Sequence, residues 1–123
     1  MANEILTHPT MAERVRAAVL TVTDKCEPAT YRGNATEYAT YNLSRHPVIH
    51  GNDRPHAIRY LGYVHLYMPP RKNPHAQIVA MCEALANIGT YPTVEDASDL
   101  TTGHYVFEFE AVDGDLWSPP AVS

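Results

Sequence analysis

The sequence predicts a single α+β domain in the order α-β-β-β-α-β-β, in which two helices flank an antiparallel or mixed sheet. Two segments carry apolar residues at helical spacing, and five others alternate or are rich in β-branched and aromatic residues. The length of 123 residues suits one core, and 45% hydrophobic with 19% charged residues is a globular composition. We expect a flexible arm over residues 1–9, the domain over residues 10–112 and an extended tail over residues 113–123.

The first helix is predicted over residues 11–23. Thr10 and Glu13 form a capping box, in which each side chain bonds the backbone N–H of the other residue. Apolar residues recur on one face, and Pro28 lies beyond the predicted end. The expected inward-facing residues are Met11, Val15, Ala18, Val19 and Val22.

Three strands are predicted next, over residues 29–32, 37–43 and 57–68. Both faces of the third strand carry large apolar or aromatic side chains, which indicates that both faces are covered. A helix on one face and a neighbouring subunit on the other would satisfy that pattern. Residues 44–56 are polar and contain Pro47 and Gly51, so the sequence predicts a long loop between the second and third strands.

The second half begins with a helix that Asn73 caps, with Pro74 as its first residue and Gly89 after its end near Ile88. Two strands follow over residues 91–97 and 104–112, joined by a hairpin loop. In the last strand, a tyrosine, two phenylalanines and an alanine alternate with two valines and two glutamates, which predicts one buried face. The prolines after Trp117 prevent the tail from extending a sheet.

The charges divide along the chain. Residues 1–72 contain all nine Lys and Arg residues and six acidic residues, whereas residues 73–123 contain eight acidic residues and no Lys or Arg. This asymmetry suits head-to-tail self-association, although a solvated surface of mixed sign explains it equally well. The net charge of −5 disfavours free nucleic acid as a partner, and the sequence contains no apolar run of membrane-spanning length.

The sequence predicts no catalytic centre, cofactor or metal. Cys26 and Cys82 are expected to be unpaired thiols in a reducing compartment. No nucleophile or phosphate-binding motif occurs, and we interpret Glu108 and Glu110 as an exposed strand face rather than an acid/base pair. A cluster of three histidines and one aspartate leaves open a small metal-dependent enzyme. Pro47 and Gly51 lie within this cluster and disfavour the regular helix that would bring the ligands together. The candidate ligands are His46, His50, Asp53 and His56.

Tyrosine outnumbers phenylalanine by eight to two, and most of the tyrosines lie in predicted strands. Tyrosine combines apolar area with a polar tip, so it suits a surface that a partner covers, although β-propensity alone also explains its use. Trp117 either packs back on its own domain or anchors on a neighbour. A stand-alone ligand-binding domain is a further alternative.

Three segments carry a resemblance to small proteins encoded in prophage tail gene clusters. They are residues 53–66 (DRPHAIRYLGYVHL), 89–99 (GTYPTVEDASD) and 104–110 (HYVFEFE). Over residues 10–112 the layout resembles the tail terminator family of long-tailed bacteriophages, also called tail completion or tail-to-head joining proteins. The resemblance implies a non-enzymatic α+β subunit of a hexameric ring that caps the tail tube and meets the neck of the head.

That resemblance implies a protein that is assembled in the host cytoplasm and located in the virion. Its expected partners are further copies of itself, the tail tube protein and a head–neck connector or stopper protein. A head-closure or neck adaptor protein is a close variant. The resemblance and the charge pattern together predict the residues of the subunit and partner interface. These are Arg45, Asp53, Arg54, Arg59, Arg71, Lys72, Glu108, Glu110, Asp113, Asp115 and Trp117.

Overall fold

The predicted fold class is confirmed in the computed structural model, which contains two helices and one five-stranded mixed sheet in the order α-β-β-β-α-β-β. The structure describes residues 10–51, 54–70 and 73–113, with backbone alone for residues 47–51, 54–57 and 113. The predicted arm over residues 1–9 lies outside the described residues, as does all of the predicted tail except Asp113. None of the described helices is long and apolar enough to span a membrane.

The first helix, α1 (Met11–Val19), begins at the predicted capping box, since the Glu13 N–H donates to Thr10 Oγ1 over 3.1 Å. Four of the five expected inward-facing residues are buried, and Val22 is half-buried against the core. The helix ends four residues earlier than predicted. The Thr21 hydroxyl donates to the Ala18 carbonyl over 2.6 Å, and such backbone bonds by β-branched threonines disfavour further helix.

The first strand, β1 (Cys26–Pro28), lies before the predicted segment over residues 29–32. It pairs in parallel with β2 (Tyr38–Gly51), and Ala29 then turns the chain with a φ of 61°. Proline cannot donate to a ladder, but β1 is at the edge of the sheet, where this is tolerated.

The loop prediction for residues 44–56 is wrong. The long strands β2 and β3 (Arg54–Met68) remain paired from Tyr38–Tyr67 to Gly51–Arg54, with register shifts near Ile49. β1 ends opposite Tyr41, so none of the described strands lies on the other side of β2 at Pro47, and the proline breaks no described ladder there. We call residues 47–51 and 54–57 the hairpin arm, because β3 pairs with β5 only from Ile58 onwards.

The second helix, α2 (His75–Ala86), begins beside the predicted cap, where the His75 N–H donates to Asn73 Oδ1 over 3.1 Å. Its end is closed by two bonds, from Gly89 N–H to Ala86 O and from Thr90 N–H to Leu85 O. Gly89 adopts a φ of 88°, which this motif requires and glycine adopts without strain.

The last two strands are β4 (Thr93–Asp96) and β5 (Gly103–Asp113), and the sheet order is β1-β2-β3-β5-β4. Both helices pack on one face of this sheet, which we call the helix face. The core between them includes Val15, Val64, Leu66, Met81 and Phe107, all at most 1% exposed. The opposite side, called the open face, is not covered by any described helix.

Candidate interaction surface

The open face carries large side chains that the described part of the chain leaves uncovered. Along β3, Leu61 and Tyr63 are 36% and 40% exposed, and Val112 of β5 is 58% exposed. Strand geometry places alternate residues on opposite faces, so the neighbouring Val64 is fully buried while Tyr63 is not. The helix predicted for one face of β3 is confirmed, whereas the neighbouring subunit on the other face stays a prediction.

A row of stacked rings crosses one end of the open face. Tyr31, Tyr38, Tyr67 and His104 stack in sequence, with ring centroids 4.4, 4.8 and 4.3 Å apart. Each such aromatic pair contributes about 0.5–1.5 kcal/mol beyond area burial. Tyr31 precedes β2, and its hydroxyl accepts from the Ala35 N–H over 3.1 Å. The row therefore fastens the segment before β2 to the open face.

Two histidines meet at the end of this row. His65 Nδ1 and His104 Nε2 are 2.9 Å apart, which is hydrogen-bond distance when one ring donates and the other accepts. Burial and the neighbouring His104 lower the pKa of His65. Burial also lowers the pKa of His104, against an opposing effect of Asp99. Both shifts favour neutral rings.

Acidic and basic groups alternate with the apolar ones further along the open face. Hydrogen bonding to Glu108 raises the pKa of Tyr63. Arg59 Nε lies 3.9 Å from Glu110 Oε1, too far for a hydrogen bond but within range of an ion pair. This ion pair joins two predicted interface residues within one chain.

A shallow groove of about 280 Å³ lies between these residues. Its walls combine apolar side chains with carboxylates, and Tyr91 on its border is 80% exposed. The lining residues are Leu61, Tyr63, Tyr91, Thr93, Glu108, Phe109 and Glu110.

The structure brings together only some of the predicted interface residues. Glu108, Glu110 and Arg59 share the open face. Arg45 is exposed but pairs with Tyr60, which places it on the helix face. For two residues only the strand position is described, at the start of β3 and the end of β5, and five lie outside the described residues. The former are Arg54 and Asp113, and the latter are Asp53, Arg71, Lys72, Asp115 and Trp117.

The groups considered for chemistry can be placed in part. Both cysteines are free, and burial raises the pKa of the Cys26 thiol to about 11, which makes it a poor nucleophile at neutral pH. Among the described side chains, no three His, Cys, Asp or Glu residues are placed to hold a metal. Of the histidine-rich candidate site, His46 is exposed, and the side chains of His50, Asp53 and His56 lie outside that description.

Sequence reasoning missed the ring stack and the histidine pair. The period of two along β3 places His65 and Tyr67 on one face, but His104 joins them only through the register that sets Tyr67 opposite His104. That register is not readable from either strand alone.

No family model matches this chain, and no curated protein sequence matches it. Five chains of solved structures do match. One, whose name carries no functional description, has a TM-score of 0.52 and 10% sequence identity, covering 85% of this chain and 96% of its own. At this identity the likeness shows a shared fold alone.

Proposed function

We propose that this protein is a structural subunit of a homo-oligomeric ring that ends the tail tube of a long-tailed bacteriophage and joins it to the head. The observation that carries the proposal is the open face, where exposed apolar and aromatic side chains lie beside a projecting hairpin arm. Surfaces of this composition are typical of protein–protein contacts. The resemblance of the sequence to tail terminators is the reason for proposing this particular assembly.

The two edges of the sheet disfavour association by strand addition. β1 has three residues, one of them Pro28, and β4 has four residues that include Glu95 and Asp96. Short strands, proline and charged residues are the features that keep natural sheet edges from pairing with other chains. Subunit contacts are therefore expected through the open face and the hairpin arm.

The charge distribution suits a head-to-tail contact. Arg54 lies at the start of β3, whereas Glu95, Asp96 and Asp99 lie around the β4–β5 turn at the opposite end of the sheet. The pairs Ile58–Asp113 and Met68–Gly103 mark these two ends, ten residues or ~34 Å apart. A contact between Arg54 of one subunit and these acidic residues of the next would be heterologous, and a heterologous contact produces a ring when the rotation closes.

The charge reversal Arg54→Glu tests the proposal. We expect the monomer to stay folded and ring formation to be lost, because like charges placed opposite each other across an interface cost several kcal/mol per contact. Light scattering of the purified protein measures the oligomer, and electron microscopy of phage particles measures tail length and head joining.

Arg32→Glu is the matched control, since Arg32 is an exposed residue before β2 and the charge change is the same. We expect it to assemble normally. Glu95→Lys combined with Arg54→Glu tests whether an acidic residue beside the β4–β5 turn is the partner that restores the ring. Normal tails and normal joining with Arg54→Glu would contradict the hairpin arm as the interface. A chain that is monomeric even in assembled particles would reject the ring itself.

The neck adaptor alternative predicts the same oligomer at a different position. Labelling the protein in particles distinguishes the two, since a terminator lies on the last ring of the tail tube and an adaptor lies on the head side of the joint.

A further inference from the structure

The short strand β4 and the turn that follows it are exposed at one edge of the sheet. All four residues of β4 are exposed, whereas each of the other four described strands contains at least one buried residue. In the β4–β5 turn, residues 97–102, Leu100 is 98% exposed, the largest value among the exposed large apolar side chains of the described residues. An exposed leucine is common on protein surfaces, so the way in which this one is held decides whether it suits a contact.

The turn holds Leu100 in a fixed position. Asp99 Oδ1 accepts hydrogen bonds from the backbone N–H of Thr101 over 2.8 Å and of Thr102 over 2.7 Å. The Thr101 hydroxyl donates to the same oxygen over 3.0 Å, and the Asp99 N–H donates to the Thr102 carbonyl over 3.0 Å. These bonds join the residues on either side of Leu100. A side chain on an ordered turn loses less conformational entropy on binding than one on a free loop, so Leu100 is preorganised for contact.

The charges around Leu100 define the chemistry of a suitable partner. Glu95, Asp96 and Asp99 precede it and are exposed, and no Lys or Arg occurs in residues 73–123. Leu100 offers apolar area for a partner to cover, and the carboxylates favour a basic partner over an acidic one. The partner that fits this turn therefore combines apolar residues with Arg or Lys.

The hairpin arm has this composition. Residues 45–59, which comprise the arm and its base, contain three arginines and one acidic residue, and they include Val48, Ile49 and Ile58. Among the described strands, the two strands of the arm pair only with each other. A two-stranded hairpin alone is at best marginally stable in water, so the arm gains stability from a surface on which it packs.

The turn and the arm of one subunit are too far apart to meet. The arm ends before Ile58, the turn ends at Gly103 opposite Met68, and the ten residues between these points on β3 span ~34 Å. We infer that Leu100 is the apolar anchor of the contact between copies of this chain, seated against the hairpin arm of the next copy. This contact rests on the proposed function, which requires copies of the chain to associate.

The substitution Leu100→Ser tests the anchor. We expect the association of subunits to weaken roughly tenfold to a hundredfold in light scattering of a dilution series, the factor that corresponds to the loss of one buried leucine. The urea midpoint of the monomer should not change, because the side chain is 98% exposed within its own subunit. Leu100→Met keeps an apolar side chain of similar volume and should assemble as wild type does. Val79→Ser, at a 37% exposed site on α2, is the matched control and should also assemble normally.

Cross-linking tests the partner. Leu100→Cys and Ile49→Cys are combined in a Cys82→Ala background, since Cys26 is buried whereas Cys82 is only partly so, and a short bismaleimide is added. Each link then joins two copies, because the two positions are far apart within one subunit. We expect dimers, trimers and larger products from the double variant, dimers alone from a mixture of the two single variants, and no link when Val79→Cys replaces Leu100→Cys. The reaction is run on the purified oligomer, or on phage particles when the purified chain is monomeric.

The outcomes separate the anchor from the ring. An assembled oligomer without a link between positions 49 and 100, or wild-type assembly of Leu100→Ser, overturns the anchor and leaves the ring standing. Links from Leu100→Cys alone show a turn-to-turn contact and also overturn the anchor. Links that stop at dimers in the double variant keep the anchor and reject the ring, since a two-fold dimer closes both contacts. A wild-type chain that is monomeric even in particles overturns both.

Discussion

Strand β3 has fifteen residues, and the side chains on its two faces differ in how far they are buried. On the helix face, Val64, Leu66 and Met68 are at most 1% exposed. On the open face, Leu61 and Tyr63 are 36% and 40% exposed. Folding of the described residues therefore uses one face of the strand fully and leaves apolar area on the other available for contact. The comparison separates residues that stabilise the fold from residues that are free to bind.

The largest expected effect is a difference between two leucines on β3. Leu66→Ala should destabilise the protein by about 2–5 kcal/mol, because it leaves a cavity in a packed core. Leu61→Ala should cost only about 1 kcal/mol, since a fully buried leucine contributes ~1.5–3 kcal/mol and Leu61 is partly exposed already. Urea unfolding of both variants measures the difference. Equal losses would show that the open face is as closely packed as the helix face.

A smaller effect is expected at Gly62, which faces the core between Leu43 and Phe109. A Cβ at this position would collide with the Phe109 ring and lie 2.9 Å from Leu43 Cδ2. Gly62→Ala should therefore cost about 1–3 kcal/mol through overpacking. The control Ser44→Ala lies on the neighbouring strand opposite Leu61, where it is exposed, and should stay within about 0.5 kcal/mol of wild type. Matching unfolding midpoints for Gly62→Ala and wild type would contradict the close approach.

The same contrast explains which elements the sequence could predict. Where one side of a segment is buried, the apolar period is strong, as in α1 and β5, and the prediction succeeds. The capping box at Thr10 and the glycine at the end of α2 are local signals and are equally readable. The fold class followed from these elements together.

The hairpin arm was predicted as a loop because it contains a proline and a glycine, but these residues lie at positions where the sheet tolerates them. Pro47 lies on β2 beyond the end of β1, so its missing N–H removes no ladder bond on that side. The candidate surface was predictable only in part, since Glu108 and Glu110 could be assigned to one strand face. The pairs Arg59–Glu110 and His65–His104 depend on the register between β3 and β5, which is set by packing of the whole sheet.

The smallest expected effect concerns the histidine pair on the open face. The pKa of both His65 and His104 is lowered in the folded protein, chiefly by burial, from the ordinary value near 6.5. The unfolded chain then binds more protons than the folded one at mildly acidic pH, so this contribution to stability is present above the unfolded pKa and is lost as pH falls below it. Wild type should unfold at lower urea concentration at about pH 5 than at about pH 7.5. The double variant His65→Gln/His104→Gln should lose part of that difference, whereas His75→Gln, exposed at the start of α2, should keep all of it. An undiminished pH dependence in the double variant would show that the pair contributes nothing to it.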